Sequence, residues 1–191
     1  ADSWLAGGFA SSEQCITSPD TVRGQNIRAA GPAFEQMLQA AGASIASMPS
    51  SEVYTAMQTG VLEAANTSSM SFISFRLYEQ VECLTEPGDF ALWFMYEPVL
   101  ISEQVWQRLS EEQQAALLEA GKAAEEYFAA EAAAIDQKMV EVYEENGIEV
   151  VRMSEEDYNA WLDIARETSY KNFADNVPNG QAIIDAALAV E

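Results

Sequence analysis

From Ser110 to Glu145 the chain contains no proline and is dominated by strong helix formers. Ser110 and Gln113 supply the two halves of a capping box, and Asn146-Gly147 supply a stop. The lone glycine inside, Gly121, costs only about 1 kcal/mol. At about 1.5 Å per residue this spacing predicts a helix roughly 50 Å long, more than the diameter of a small domain. Such a helix must cross between lobes or brace one of them. Its alanine-rich pattern has no sustained heptad of large residues, so a coiled coil is the weaker reading.

The segments before the long helix mix short apolar runs with turn signals. Asn26 to Ala29 read as a short strand ending at Gly31-Pro32, and PAFEQMLQAAG places Phe34, Met37, Leu38 and Ala41 at helical spacing before Gly42. Ser44 to Met48 then read as a strand and Ser51 to Gly60 as a helix with its N-cap at Pro49 to Ser51. Strand, helix, strand, helix is the rhythm of an α/β protein with crossovers on both faces of a sheet. The run ALWFMY, Ala91 to Tyr96, predicts a central strand buried on both faces, broken or bulged at Pro98. Beyond the long helix, Ile148 to Met153 read as a returning strand, Ser154 caps a helix through about Phe173, and a last helix runs from about Gln181 to Val190.

Several chemistries are excluded. There is no histidine, which removes Ser/His/Asp and Cys/His triads and His-ligated zinc. A formal charge of -22, with 31 acidic residues against 9 basic ones, argues against nucleic acid and anionic membrane surfaces. Cys15 and Cys83 lie too far apart for CxxC chemistry or a zinc knuckle, leaving a disulfide or two buried thiols. No cofactor or metal site is expected. No apolar run of twenty residues occurs, and ADSWLAGGF has neither the basic nor the apolar region of a signal peptide, so an export signal would lie outside this sequence. Against that acidic background Arg28 stands in an almost uncharged stretch, GQNIRAAGPAF. By composition alone it reads as half of a structural salt bridge.

Three stretches change that reading when taken in order: ITSPDTVRGQNIR (Ile16 to Arg28), MPSSEVYTAMQTGVLEAANTSS (Met48 to Ser69) and LYEQVECLT (Leu77 to Thr85). Together with the long helix, they resemble the solute-binding proteins of TRAP transporters, the DctP family, over most of the chain. The resemblance implies an α/β fold of periplasmic binding protein type II-like lobes, with the long helix of the C-terminal half spanning them. It implies a periplasmic receptor, not an enzyme, that closes over a small organic acid and delivers it to the TRAP membrane permease. Arg28 matches the arginine that pairs with the ligand carboxylate in this family, a role suited to a guanidinium, which offers paired donors and keeps its charge when buried. Asn66, Thr67 and Ser68 stand where a polar stretch follows the second motif, as ligand hydrogen-bonders or as turn and cap residues. Trp93 and Met95 lie on the run that lines the cleft in the family, and strand alternation allows both to face the ligand while Phe94 points away. The oxidising compartment favours a Cys15–Cys83 disulfide.

The resemblance also divides the chain. Residues 1–92 and 133–191 form one ligand-binding lobe; residues 93–132, the crossing strand and the first part of the long helix, belong to the other lobe, whose remainder the family carries ahead of this sequence. The expected consequence is a chain that dimerises or swaps elements over the exposed ALWFMY strand, or a proteolysed product. Many family members carry a second basic residue near where Gly7-Gly8 stand, and its absence here counts against a dicarboxylate or sialic-acid-like ligand held by two arginines. Two other classes remain as alternatives: a glycosidase-like hydrolase using paired carboxylates, and a helical interaction protein built on Ser110 to Asn146.

Overall fold

The computed structural model describes residues 4–190. Ala1 to Ser3 and Glu191, which the division into lobes assigns to the first lobe, lie outside the described residues. Seven strands, β1 (Trp4–Ser11), β2 (Asn26–Arg28), β3 (Ser44–Ile45), β4 (Ala64–Ser68), β5 (Cys83–Glu86), β6 (Trp93–Tyr96) and β7 (Glu149–Arg152), join one mixed sheet. Its order is β3-β2-β4-β1-β5-β7, and β6 pairs with the early residues of β1. The helices are α1 (Pro32–Ala40), α2 (Ser50–Gln58), α3 (Ser69–Ser74), α4 (Glu103–Trp106), α5 (Glu111–Glu145), α6 (Glu155–Ala165), α7 (Lys171–Asn176) and α8 (Gly180–Leu188).

β2 lies parallel to both β3 and β4, so the chain leaves β2 through α1 to one neighbour and returns through α2 to the other. Right-handed crossovers running in opposite directions put their helices on opposite faces. Phe34, Met37 and Leu38 of α1 accordingly pack with Ile27, Phe9 and the fully buried Trp161 of α6. Val53 and Met57 of α2 pack on the other face with Ala65, Leu84, Phe72 of α3, and Met139 and Tyr143 of α5. Trp161 stacks on Phe9 at 6.0 Å and donates its indole N–H to the Thr17 carbonyl at 2.9 Å, which satisfies its only polar atom.

α5 is the 35-residue helix read from the sequence, about 52 Å long, and begins with the Ser110–Gln113 capping box. Its end is a Schellman motif: Gly147 takes φ 77, its N–H meets the Glu144 carbonyl, and the Ile148 N–H meets that of Tyr143. Only the C-terminal half reaches the core, through Met139 and Tyr143. The N-terminal half exposes Leu117, Leu118 and Tyr127. With exposed Val99, Leu100 and Ile101 it borders an apolar hollow of about 440 Å³.

Four expectations need correction. ALWFMY is not a central strand buried on both faces: β6 pairs with β1 among the described residues, and Phe94 and Tyr96 are 52% and 46% exposed. β1 outruns β4, which reaches only to Gly7, so Trp4 to Ala6 and β6 continue as a two-stranded ribbon beyond the main sheet. Asn66, Thr67 and Ser68 form no turn but belong to β4, buried at every position in the middle of the sheet, although Ser68 does cap α3. The strand at Ser44 stops at Ile45, because the chain turns toward Pro49 and α2. The helix from Ser154 is also interrupted by a π-helical turn, Arg166–Tyr170. β1, which sequence reading did not single out, lies at the heart of the fold.

Candidate functional site at the strand ends

β2 and β4 are adjacent and parallel, yet the helices that follow them, α1 and α3, pack on opposite faces. At such a switch point the loops diverge and leave a crevice outside the carboxyl ends of the strands, where α/β sheets bind ligands. Arg28 ends β2, and Thr67 and Ser68 end β4. Topology alone therefore brings the first motif beside the second.

The half-buried Arg28 guanidinium donates from Nε to the Met48 carbonyl at 3.0 Å and from one terminal nitrogen to the Asn66 carbonyl at 2.8 Å. Burial pulls its pKa below the ordinary value, and the charge of Glu35 opposes that shift. None of the ion pairs found among the described residues includes Arg28. The structure thus gives Arg28 no salt-bridge partner among the described residues. Two neutral carbonyls aim the guanidinium without cancelling its charge, and a planar fork held in that way suits an anion.

The register sorts the other expected residues onto two faces. Arg28 lies opposite Ala65 on the α2/α3 face, which Thr67 shares. Asn66 lies opposite Phe9, and Ser68 lies opposite Gly7 on that same α1/α6 face. Trp93 also pairs with Gly7 and packs against the α1/α6 core. Met95 follows two residues along the ribbon opposite Leu5; both it and Trp93 are half-buried while Phe94 is exposed, as strand alternation requires.

Asn66 is 1% exposed and both polar atoms of its amide are engaged: Oδ1 accepts from the Ala30 N–H at 3.3 Å, and Nδ2 donates to the Gly8 carbonyl at 3.0 Å. Trp93 donates its indole N–H to the Ala30 carbonyl at 3.1 Å. Ser68 caps α3, accepting from the Ser71 N–H at 3.3 Å. Sequence reading missed Ala30 and the Met48 carbonyl, for backbone groups leave no signature in residue type.

Gly7 and Gly8 are required where they stand. A Cβ at Gly7 would lie 2.3 Å from a carbon of the Trp93 ring and 2.6 Å from the Thr67 carbonyl oxygen; at Gly8 it would lie 2.2 Å from the Thr85 carbonyl oxygen. A basic side chain at either position is incompatible with this packing. Cys15 and Cys83 are joined by a disulfide, with Cα atoms 5.2 Å apart. Among the described residues the one cluster with metal-ligand spacing is this pair with Glu149, and the disulfide ties up both sulfurs.

The sequence profile of the bacterial extracellular solute-binding proteins of family 7, DctP, matches residues 6–176. The chain belongs to that family. A solute-binding protein of Albidiferax ferrireducens is 42% identical over 171 residues, covering 89% of this chain and 50% of that protein. The crystal structure of a TRAP periplasmic solute-binding protein from Rhodoferax ferrireducens with bound malonate superposes with a TM-score of 0.91 at 34% identity, covering 100% of this chain and 63% of that one. A TRAP solute-binding protein from Roseobacter denitrificans with bound β-D-glucuronate shares the fold, with a TM-score of 0.87 at 22% identity, covering 99% of this chain and 62% of that one. The fold is periplasmic binding protein type II-like, and the matches to the family and to the Rhodoferax ferrireducens neighbour are to solute-binding proteins rather than to paired-carboxylate hydrolases. The chain spans about half the length of the curated relative it matches over 171 residues.

Proposed function

We propose that this chain forms the ligand-capturing lobe of a periplasmic TRAP-type receptor, which holds a small organic acid through an Arg28–carboxylate pair and hands it to the membrane permease. The observation that carries the reading is the state of Arg28: half-buried, aimed by two backbone carbonyls and joined to no acid among the described residues, in a chain of net charge -22. Malonate bound in the related Rhodoferax ferrireducens structure, and β-D-glucuronate in one of the same fold, support a small organic acid as the ligand class. No helix among the described residues is long and apolar enough to cross a membrane, which accords with a periplasmic receptor that relies on a separate permease.

Residues 1–92 and 133–191 act as one lobe, and residues 93–132 carry the ribbon and the outer half of α5 toward a second. The Val99–Ile101 and Leu117–Leu118 surface is the face that the second lobe covers. Thr67 shares the face of Arg28 at the end of β4, whereas Asn66 and Ser68 lie on the opposite face.

A thermal-shift screen of organic acids, with malonate and D-glucuronate among them, against the protein and its Arg28→Ala variant tests the reading. An acid that raises the melting temperature of the parent alone supports it. Equal stabilisation of both proteins, or no response across the panel, returns Arg28 to a structural role.

A further inference from the structure

We propose that Asn66 and Trp93 are positioning residues, which fix the Arg28 guanidinium through the Ala30 backbone rather than touching ligand. The inference rests on the reading of Arg28 as the carboxylate anchor. Both polar groups of Ala30 are taken by side chains from different strands: its N–H by Asn66 Oδ1 of β4, its carbonyl by the Trp93 indole of β6. Asn66 closes the loop, for its own backbone carbonyl receives the Arg28 guanidinium. Residue 66 thus grips Arg28 with its main chain and the loop just after Arg28 with its side chain.

The grip is over-determined. Nδ2 of Asn66 is anchored on the Gly8 carbonyl of β1, so its amide cannot rotate without breaking two bonds in a site that is 1% exposed. The Trp93 ring lies against the bare backbone of Gly7, which leaves the indole N–H facing Ala30. Next to Ala30, Gly31 takes φ 104, a left-handed conformation that only glycine adopts freely, and α1 begins at Pro32. A soft glycine joint therefore adjoins a clamped residue, and the clamp decides where the end of β2 points.

The clamp also spans two parts of the molecule. Trp93 opens the ribbon strand that runs with β1 beyond the main sheet, while Arg28 ends β2 in the parallel half of the sheet and Ala30 lies in the loop just after it. A shift of β6 would pull the Ala30 carbonyl and, through Asn66, the guanidinium. Position of the ribbon and aim of the carboxylate anchor are thus mechanically linked by three hydrogen bonds.

Trp93→Phe keeps an aromatic ring and deletes the donor together with part of the indole volume; Asn66→Asp keeps the shape but sets a carboxylate oxygen against the Gly8 carbonyl. Three readouts are taken on the parent and on both variants: hydrogen exchange of the Ala30 amide, the Arg28 Nε–H resonance, and calorimetric affinity for malonate and D-glucuronate. The expected result is faster Ala30 exchange and a shifted or broadened Arg28 resonance in both variants, with affinity about tenfold weaker in Trp93→Phe, the worth of one hydrogen bond. Unchanged Ala30 exchange and an unchanged Arg28 resonance in Trp93→Phe overturn the proposal. So does an altered resonance with parental affinity for a probe that the parent binds. Should the parent bind neither probe, the functional reading loses support, and the Ala30 and Arg28 resonances alone decide the clamp.

Discussion

Breaking the Cys15–Cys83 disulfide should destabilise the fold mainly through the unfolded chain. The bond closes a loop of 68 residues that contains β2, α1, β3, α2, β4 and α3. Chain-entropy arithmetic for that loop gives about 4 kcal/mol at 25 °C. Cys15→Ala removes the bond with little packing loss, because Cys15 is half-buried, while Cys83, 2% exposed, keeps its place in β5. For a chain of this size the loss corresponds to a fall of about 10 °C in the melting temperature. Urea unfolding followed by circular dichroism is the sharper assay, since it separates two effects. Release of the loop lowers the midpoint, and expansion of the unfolded ensemble steepens the urea dependence. A loss under about 1 kcal/mol with an unchanged slope would refute the entropic account. It would show that the unfolded chain already holds these segments together.

Asp136 carries a buried carboxylate oxygen without a hydrogen-bond partner; burial raises its pKa, the Ser69 hydroxyl opposes the shift and the charge of Glu86 adds to it. A carboxyl whose folded pKa is raised binds its proton more tightly when folded, so its contribution falls as pH rises from the ordinary carboxylate value through the raised one. Asp136→Asn should therefore stabilise the protein near neutrality and flatten that part of the profile, as melting temperatures measured between about pH 4 and 7 would show. Gly7→Ala should cost about 1–3 kcal/mol in urea unfolding, for the Thr67 carbonyl facing the new methyl is backbone and cannot step aside. Gly147→Ala should cost about 1 kcal/mol, because φ 77 at the end of α5 strains any residue with a Cβ; the same unfolding assay reads it.

Local signals carried the reading of the helices. Ser110 with Gln113 and Asn146-Gly147 bounded α5 to within a residue, since caps are decided within one turn of the chain. The crossovers through α1 and α2 were legible for the same reason: Gly31-Pro32 and Pro49 punctuate them. Pairing partners were not. Nothing in WLAGGFAS announces a strand that touches three others, because its two glycines are explained only by the Trp93 ring and the Thr85 carbonyl that approach them. The same limit applied to AANTS, whose polar residues read as a turn until Phe9 and the Ala30 loop enclose them. Arg28 emerged through its flanking motif, whereas the atoms that aim it are backbone carbonyls contributed from Met48 and Asn66.

The acidity of the chain and its proposed taste for anions are compatible because they act over different distances. Charges on the solvated surface are screened beyond about 10 Å. At the crevice the balance is set by what stands next to the guanidinium, and the acid that perturbs it is Glu35, without a salt bridge. A ligand carboxylate about 4 Å away at an effective dielectric near 20 gains about 4 kcal/mol. That local attraction exceeds the screened repulsion of distant acids, provided the guanidinium keeps its aim. Met48 and Asn66 provide the aim with neutral carbonyls, which orient the donors and leave the charge for the ligand.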